Sequence, residues 1–378
     1  MSKSIHDLAT AGVQQLQPYL PGKPVEELER ELGISHSIKL ASNENPLGPG
    51  KQAVQAIRQQ AGEVNYYPDG SGFKLTAKLA QVYGVDASCV TLGNGSNDIL
   101  ELVARAFLTP QHSAVYSEYS FAVYPIVVQA VGARANVAPA YADDHASMPL
   151  GHDPAAMLAA IDDDTRIVFI ANPNNPTGTW LEPDVLHKLV SDIPQDIIVV
   201  LDLAYNEYMD AVLRIDVADW LQQFPNLLVT GTFSKIHALA GLRIGYGLSS
   251  PQLADILNRV RQPFNTNLLA QAAALAALDD SEHVATSVSV NNSGKAYLYE
   301  QLQVMGLKAL PSMGNFIAIN FARDAMPIYE ALLRRGVIVR PVANYAMPHY
   351  LRVTVGSEQQ NRRFVEALQQ ALQETRAA

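Results

Sequence analysis

The sequence predicts an α/β fold built on a mainly parallel sheet, and three observations carry that prediction. Short apolar runs recur along most of the chain, and stretches of helical periodicity separate them. Runs such as Ile197-Ile198-Val199-Val200-Leu201 are apolar at every position, the pattern of strands covered on both faces. Motifs rich in asparagine, glycine and proline stand at the carboxyl ends of these runs, where open parallel sheets collect their ligands.

Residues 1–35 are expected to form an N-terminal arm. It comprises a short helix, the extended piece Gln17-Pro18-Tyr19-Leu20-Pro21-Gly22-Lys23-Pro24, and a charged helix around Glu26 to Leu32. A strand at 38–41 leads into a loop dense in turn formers at 42–50. An amphipathic helix (51–62) and a turn carrying Tyr66 and Tyr67 follow. Strands are then expected at 89–92, 114–116, 167–170, 197–201 and 227–230, with helices at 98–107, 121–131 and 182–190. Beyond Pro251 come a helix to about Arg261, an alanine-rich helix, and a long helix from about Ser281 to Met305. The remainder changes character: strands at 315–320, 337–340 and 350–355, with helices at 325–335 and 359–375, form a compact α+β unit. The expected division is a large domain (36–285) and a small C-terminal domain (286–378), which parts of the arm join.

Composition narrows the function. A chain of 378 residues with 48% apolar content supplies a sizeable core. Twenty-seven basic against 37 acidic side chains give a net charge of −10, which repels nucleic acid and anionic membranes. The single cysteine, Cys89, allows neither an internal disulfide nor a thiolate metal cluster, and no metal ligand set is expected. Residues 1–20 lack the apolar core of a signal peptide, so the expected compartment is cytoplasmic.

Four motifs carry the chemistry. Gly231-Thr232-Phe233-Ser234-Lys235 places a lysine beside apolar runs, where desolvation favours its neutral, nucleophilic amine. Thr232, Ser234 and Arg243 around it are phosphate-binding types, although a surface turn is the commoner setting for such a Ser-Lys pair. Gly93-Asn94-Gly95-Ser96-Asn97 follows a strand and opens a helix, so its backbone can approach an anion; a plain strand-to-helix turn has the same look. Asn172-Pro173-Asn174-Asn175-Pro176-Thr177-Gly178 is a stiff loop able to hold Asn175 as a hydrogen-bond donor, or a structural turn. Asp202 ends the most apolar strand, where a carboxylate is costly unless it meets a cation or caps a helix. Together these groups suit an aldehyde cofactor carrying a phosphate, pyridoxal 5'-phosphate. Asp202 would keep the pyridine nitrogen protonated, Asn175 and Tyr205 would bond the phenolic oxygen, and Gly95, Ser96, Asn97, Thr232, Ser234 and Arg243 would hold the phosphate. Phe121 could stack on the ring, though an aromatic there is more often core.

These motifs, with Tyr67-Pro68-Asp69-Gly70 and Leu351-Arg352-Val353-Thr354-Val355-Gly356, resemble the signature of the fold type I pyridoxal-phosphate aminotransferases, above all the branch acting on histidinol phosphate. The resemblance implies a seven-stranded sheet, a homodimer with shared sites, and transamination between histidinol phosphate and the glutamate/2-oxoglutarate pair. It makes Lys235 the Schiff-base lysine and proton carrier, and Arg352 the carboxylate grip, a bidentate task that lysine cannot copy. Tyr67 would reach the cofactor phosphate of the neighbouring subunit, and Tyr19, Tyr67 and Arg340 would line the substrate pocket with Asn175. For Arg340 a surface ion pair is the alternative. His237 lies where the resemblance is looser and takes no role. Competing functions are an aromatic amino acid aminotransferase, a decarboxylase of a phosphorylated amino acid, and a cofactor-sensing effector domain. The last would need an attached DNA-binding domain, for which no segment is expected.

Overall fold

The computed structural model describes residues 4–18 and 22–376. Its central sheet has seven strands in the order Val90–Gly93, Gly245–Ser249, Leu227–Thr232, Ile198–Asp202, Thr165–Ala171, Ser113–Ser117, Arg134–Ala138. All neighbours run parallel except Gly245–Ser249, which is antiparallel to both strands beside it. Register brings Asp202 level with Ala171 on one side and Thr230 on the other, so three strand ends meet at one rim.

The fully apolar strands are buried on both faces, as their pattern requires. Val199 and Leu201 enter one core and Val200 the other, the alternation a pleated strand imposes. Helices complete the two layers. Leu268–Ala277, the alanine-rich helix, packs along Lys51–Gln60, and its small side chains permit that approach.

A second core gathers the C-terminal elements. Four strands in the order Arg340–Pro341, Tyr350–Thr354, Phe316–Asn320, Lys308–Ala309 pair antiparallel, and Met326–Arg334 packs against Glu358–Arg376. The helix Ser281–Val304 links the two cores: Val284 packs beside Tyr205 and Ile236, whereas Leu298 and Leu302 belong to the C-terminal core. Among the described residues, no helix is long and apolar enough to cross a membrane.

Several elements differ from expectation. The single strand expected over 337–340 divides: Val337–Ile338 pairs with Ile38–Lys39, and Arg340–Pro341 joins the four-stranded sheet. Leu40 accordingly packs in the C-terminal core, although its position in the chain placed it with the large domain. The helices Phe73–Tyr83, Pro154–Ala159 and Val217–Gln223 and the edge strand Arg134–Ala138 were not anticipated. That strand carries mostly exposed residues, so it lacks the apolar run that marks its neighbours.

Candidate active site

A cleft of about 510 Å³ opens at the shared rim of the sheet. Lys235 reaches it three residues beyond the strand Leu227–Thr232, on a segment fixed by the fully buried Phe233 and Ile236. Its Nζ donates to the Ser42 carbonyl at 3.2 Å and stands 5.6 Å from the centroid of the Tyr205 ring. Burial, helped by the nearby Arg352 charge, lowers the amine to a pKa of about 8. The lysine is therefore a nucleophile held close to neutrality.

Asp202 is 5% exposed and has no ion pair among the described residues. Tyr124 Oη donates to Oδ2 at 2.9 Å, and Thr230 Oγ1 donates to Oδ1 at 3.0 Å. Burial raises its pKa despite these donors, so the site holds a carboxylate in need of a cation. The helix N-cap alternative does not hold: the Ala204 amide donates to Oδ1 at 3.3 Å, and only a short 3-10 turn, Asn206–Tyr208, follows.

Opposite lies a cradle for an anion. Ser96 and Asn97 open the helix Ser96–Phe107, so their amides have no intrahelical acceptor. Thr232, Ser234 and Arg243 face the same cleft. Arg243 Nη1 donates to the Ala240 carbonyl at 3.0 Å and makes a long bond of 3.4 Å to Ser234 Oγ. Gly95 does not line the cleft but makes room for it: a Cβ there would stand 2.4 Å from Arg243 Nη2, and its φ of +82 is itself strained for other residues. Gly245 is equally confined, since a Cβ would meet the Ser96 amide at 2.4 Å. Arg243→Ala is expected to weaken affinity for a phosphate-bearing cofactor by about tenfold or more while slowing the saturated enzyme less. Equilibrium titration of the cofactor checks this; unchanged affinity would place the phosphate elsewhere.

The far wall is built around Arg352. The side chain is buried, donates from Nη1 to Asn175 Oδ1 at 2.5 Å and from Nη2 to the Ala41 carbonyl at 2.8 Å, and lies over the Phe316 ring. Its Nε is buried without a partner. Asn175 thus uses its oxygen on the arginine and keeps its Nδ2 for a ligand. Tyr205 Oη accepts from Asn43 Nδ2 at 2.9 Å, and burial pushes its pKa up to about 12, so the hydroxyl stays protonated and donates.

The cleft brings together Ser96, Asn97, Phe121, Asn175, Asp202, Tyr205, Thr232, Ser234, Lys235, Arg243 and Arg352. Phe121 also stands edge-on to Tyr124 at 5.9 Å. Two other residues named from sequence, Tyr67 and Arg340, sit apart from it. Tyr67 is 80% exposed and stacks on Phe264 at the protein surface. Arg340 is buried rather than at the surface; it pairs in register with Arg352 without lining the cleft. Tyr19 lies outside the described residues. Sequence reasoning missed Asn43, Tyr124 and Thr230. Asn43 sits in a loop dense in turn formers, with a left-handed φ of 55, and that density was its one signal. Tyr124 carried none, because its helix is largely apolar.

The strand order and the lysine-bearing cleft define a fold type I transferase. A family model described as aminotransferase class I and II matches residues 35–368, and the chain belongs to that family. It is similar to histidinol-phosphate aminotransferase 2 of Pseudomonas aeruginosa, 57% identical over 97% of this chain and 98% of the relative. Histidinol-phosphate aminotransferase 1 of Nitrosococcus oceani is 49% identical over the full length of both. The crystal structure of histidinol-phosphate aminotransferase from Sinorhizobium meliloti in complex with pyridoxal-5'-phosphate superposes with a TM-score of 0.88 at 28% identity, covering 97% of this chain and 98% of that one.

Proposed function

We propose that the chain is a pyridoxal-phosphate-dependent transaminase that moves the amino group of histidinol phosphate to 2-oxoglutarate in histidine biosynthesis. The observation that supports it most is the pairing, in one cleft, of a near-neutral lysine with a buried arginine whose Nε has no partner. The full-length similarity to histidinol-phosphate aminotransferases supports the choice of substrate.

The residues fit the cofactor. Asp202 offers the buried carboxylate that a ring nitrogen would neutralise, and the Gly95 and Gly245 backbones leave the space that a phosphate at Ser96 needs. When bound, the cofactor supplies a carbonyl that takes up the amino group and a ring that withdraws electrons from the substrate's α-carbon. Asp202 keeps the ring nitrogen protonated. Tyr205 Oη and Asn175 Nδ2 would donate to the phenolic oxygen, and Phe121 would cover the ring. Lys235 Nζ would hold the cofactor at rest and would take up and return a proton at the substrate's α-carbon, work suited to an amine of pKa about 8. Arg352 Nε and its neighbouring donors grip the carboxylate of glutamate or 2-oxoglutarate, or the phosphate of histidinol phosphate, with Arg340 behind them.

In this reading residues 36–285 hold the cofactor and residues 286–378 supply Arg352 to the substrate. Tyr67 serves the site of a second copy in a cytoplasmic homodimer, which suits its exposure. The steady-state test compares histidinol phosphate with phenylalanine as amino donors to 2-oxoglutarate. The expected result is a kcat/KM at least about tenfold higher for histidinol phosphate. A preference for phenylalanine would assign the chain to aromatic amino acids instead.

A further inference from the structure

Outside the cleft, Lys295 is a half-buried amine that the chemistry leaves without a task. It projects from the middle of the long helix Ser281–Val304 and donates to the carbonyls of Ser312 at 2.9 Å and Gly314 at 3.4 Å. Among the described residues no carboxylate pairs with it; partial burial lowers its pKa to about 8, against a weak pull from Asp210. Such desolvation is tolerated where the ammonium's donors all go to one purpose.

The turn it holds touches both loops that furnish the cleft. Met313 donates its amide to the Gly178 carbonyl at 3.0 Å, at the end of the loop that presents Asn175. Contact there is tight, since a Cβ on Gly178 would lie 2.4 Å from Ser312 Oγ. Asn315 Nδ2 donates to the Asn43 carbonyl at 3.0 Å, and Asn43 in turn bonds Tyr205. The Asn315 carbonyl accepts the Val355 amide at 2.9 Å, at the end of the strand that carries Arg352. Asn291 adds a longer bond of 3.4 Å to Gly314 from the same helix.

We propose that Lys295 is a positioning residue for substrate binding: by holding the turn 312–315 it sets Asn175, Asn43 and Arg352 for the substrate's anionic group. The inference rests on the cleft reading given above, though not on which amino donor is used. Its effect falls mainly on substrate affinity: Asn175 and, through Asn43, Tyr205 also face the cofactor, but the phosphate cradle and Lys235 that anchor it make no hydrogen bond to this turn among the described residues.

The test uses the holoenzyme and maleate, a dicarboxylate that cannot react, with binding followed through the absorbance of the bound cofactor. Lys295→Met is expected to raise the Kd for maleate and the KM for 2-oxoglutarate by about tenfold, with kcat within about twofold of the parent. Cofactor affinity and Tm should stay close to those of the parent, and Lys295→Arg should restore binding. If Lys295→Met does not fold, Lys295→Gln, which keeps a donor without the charge, is expected to show the same split. Unchanged maleate binding overturns the proposal. So does a loss that arginine fails to rescue, or one matched by falls in cofactor affinity and Tm. A parent enzyme that binds maleate yet does not use histidinol phosphate overturns the substrate assignment alone, and the maleate comparison still decides the role of Lys295.

Discussion

Lys235→Ala is expected to abolish the visible absorbance of cofactor linked to the protein and to lower turnover by more than about 10⁴-fold, because one amine both anchors the cofactor and carries the proton. Lys235→Arg should fail as completely, since a guanidinium stays protonated at working pH. The pH dependence can be read without turnover. In cofactor-free protein, an amine-directed reagent should label Lys235 with a midpoint near pH 8, where its amine loses the proton. Below that midpoint the ammonium is unreactive; above it the neutral amine reacts, while ordinary lysines require about two further pH units. Retained turnover in Lys235→Ala, or a midpoint near that of surface lysines, would contradict the assignment.

The second large effect belongs to Arg352. Removing it strands Asn175 Oδ1 and the Ala41 carbonyl and takes away the one buried guanidinium that lines the cleft among the described residues. Truncating one partner of a buried charged hydrogen-bond set costs about 2–5 kcal/mol. Arg352→Ala is therefore expected to raise the KM for 2-oxoglutarate at least about a hundredfold, with a smaller fall in kcat, in steady-state assays with the amino donor saturating. Arg352→Lys should recover little, because an ammonium cannot reproduce two parallel donors and does not lie flat on the Phe316 ring. An unchanged KM would move the carboxylate grip to another residue.

Much of this site was readable in the chain because its parts are strand-end motifs. Asp202, Asn175 and Lys235 each follow an apolar run, and a parallel sheet brings such ends to one rim whatever their distance in sequence. What escaped notice depends on tertiary contact instead. Tyr124 looks like any aromatic in an apolar helix until its hydroxyl is found on Asp202. Asn43 matters through a bond to a tyrosine 162 residues away, which no local pattern announces. The same limit applies to the fold. The antiparallel strand Gly245–Ser249 is short and rich in glycine, so periodicity alone did not identify it. Its neighbour on the far side, Val90–Gly93, was evident as a strand but not as its partner.

That antiparallel strand also bears on the order of events during synthesis. Val90 pairs with Leu248 and Gly93 with Gly245, so this edge strand finds its partner among the described residues after more than half of the chain has been made. Pairings of such long range form late, because chain closure must precede the contacts that reward it. The anion cradle lies at this junction, between Ser96 on one side and Arg243 on the other. Cofactor capture therefore belongs to the last stage of folding, and a chain truncated before Gly245 should retain no phosphate affinity however well its parallel strands assemble.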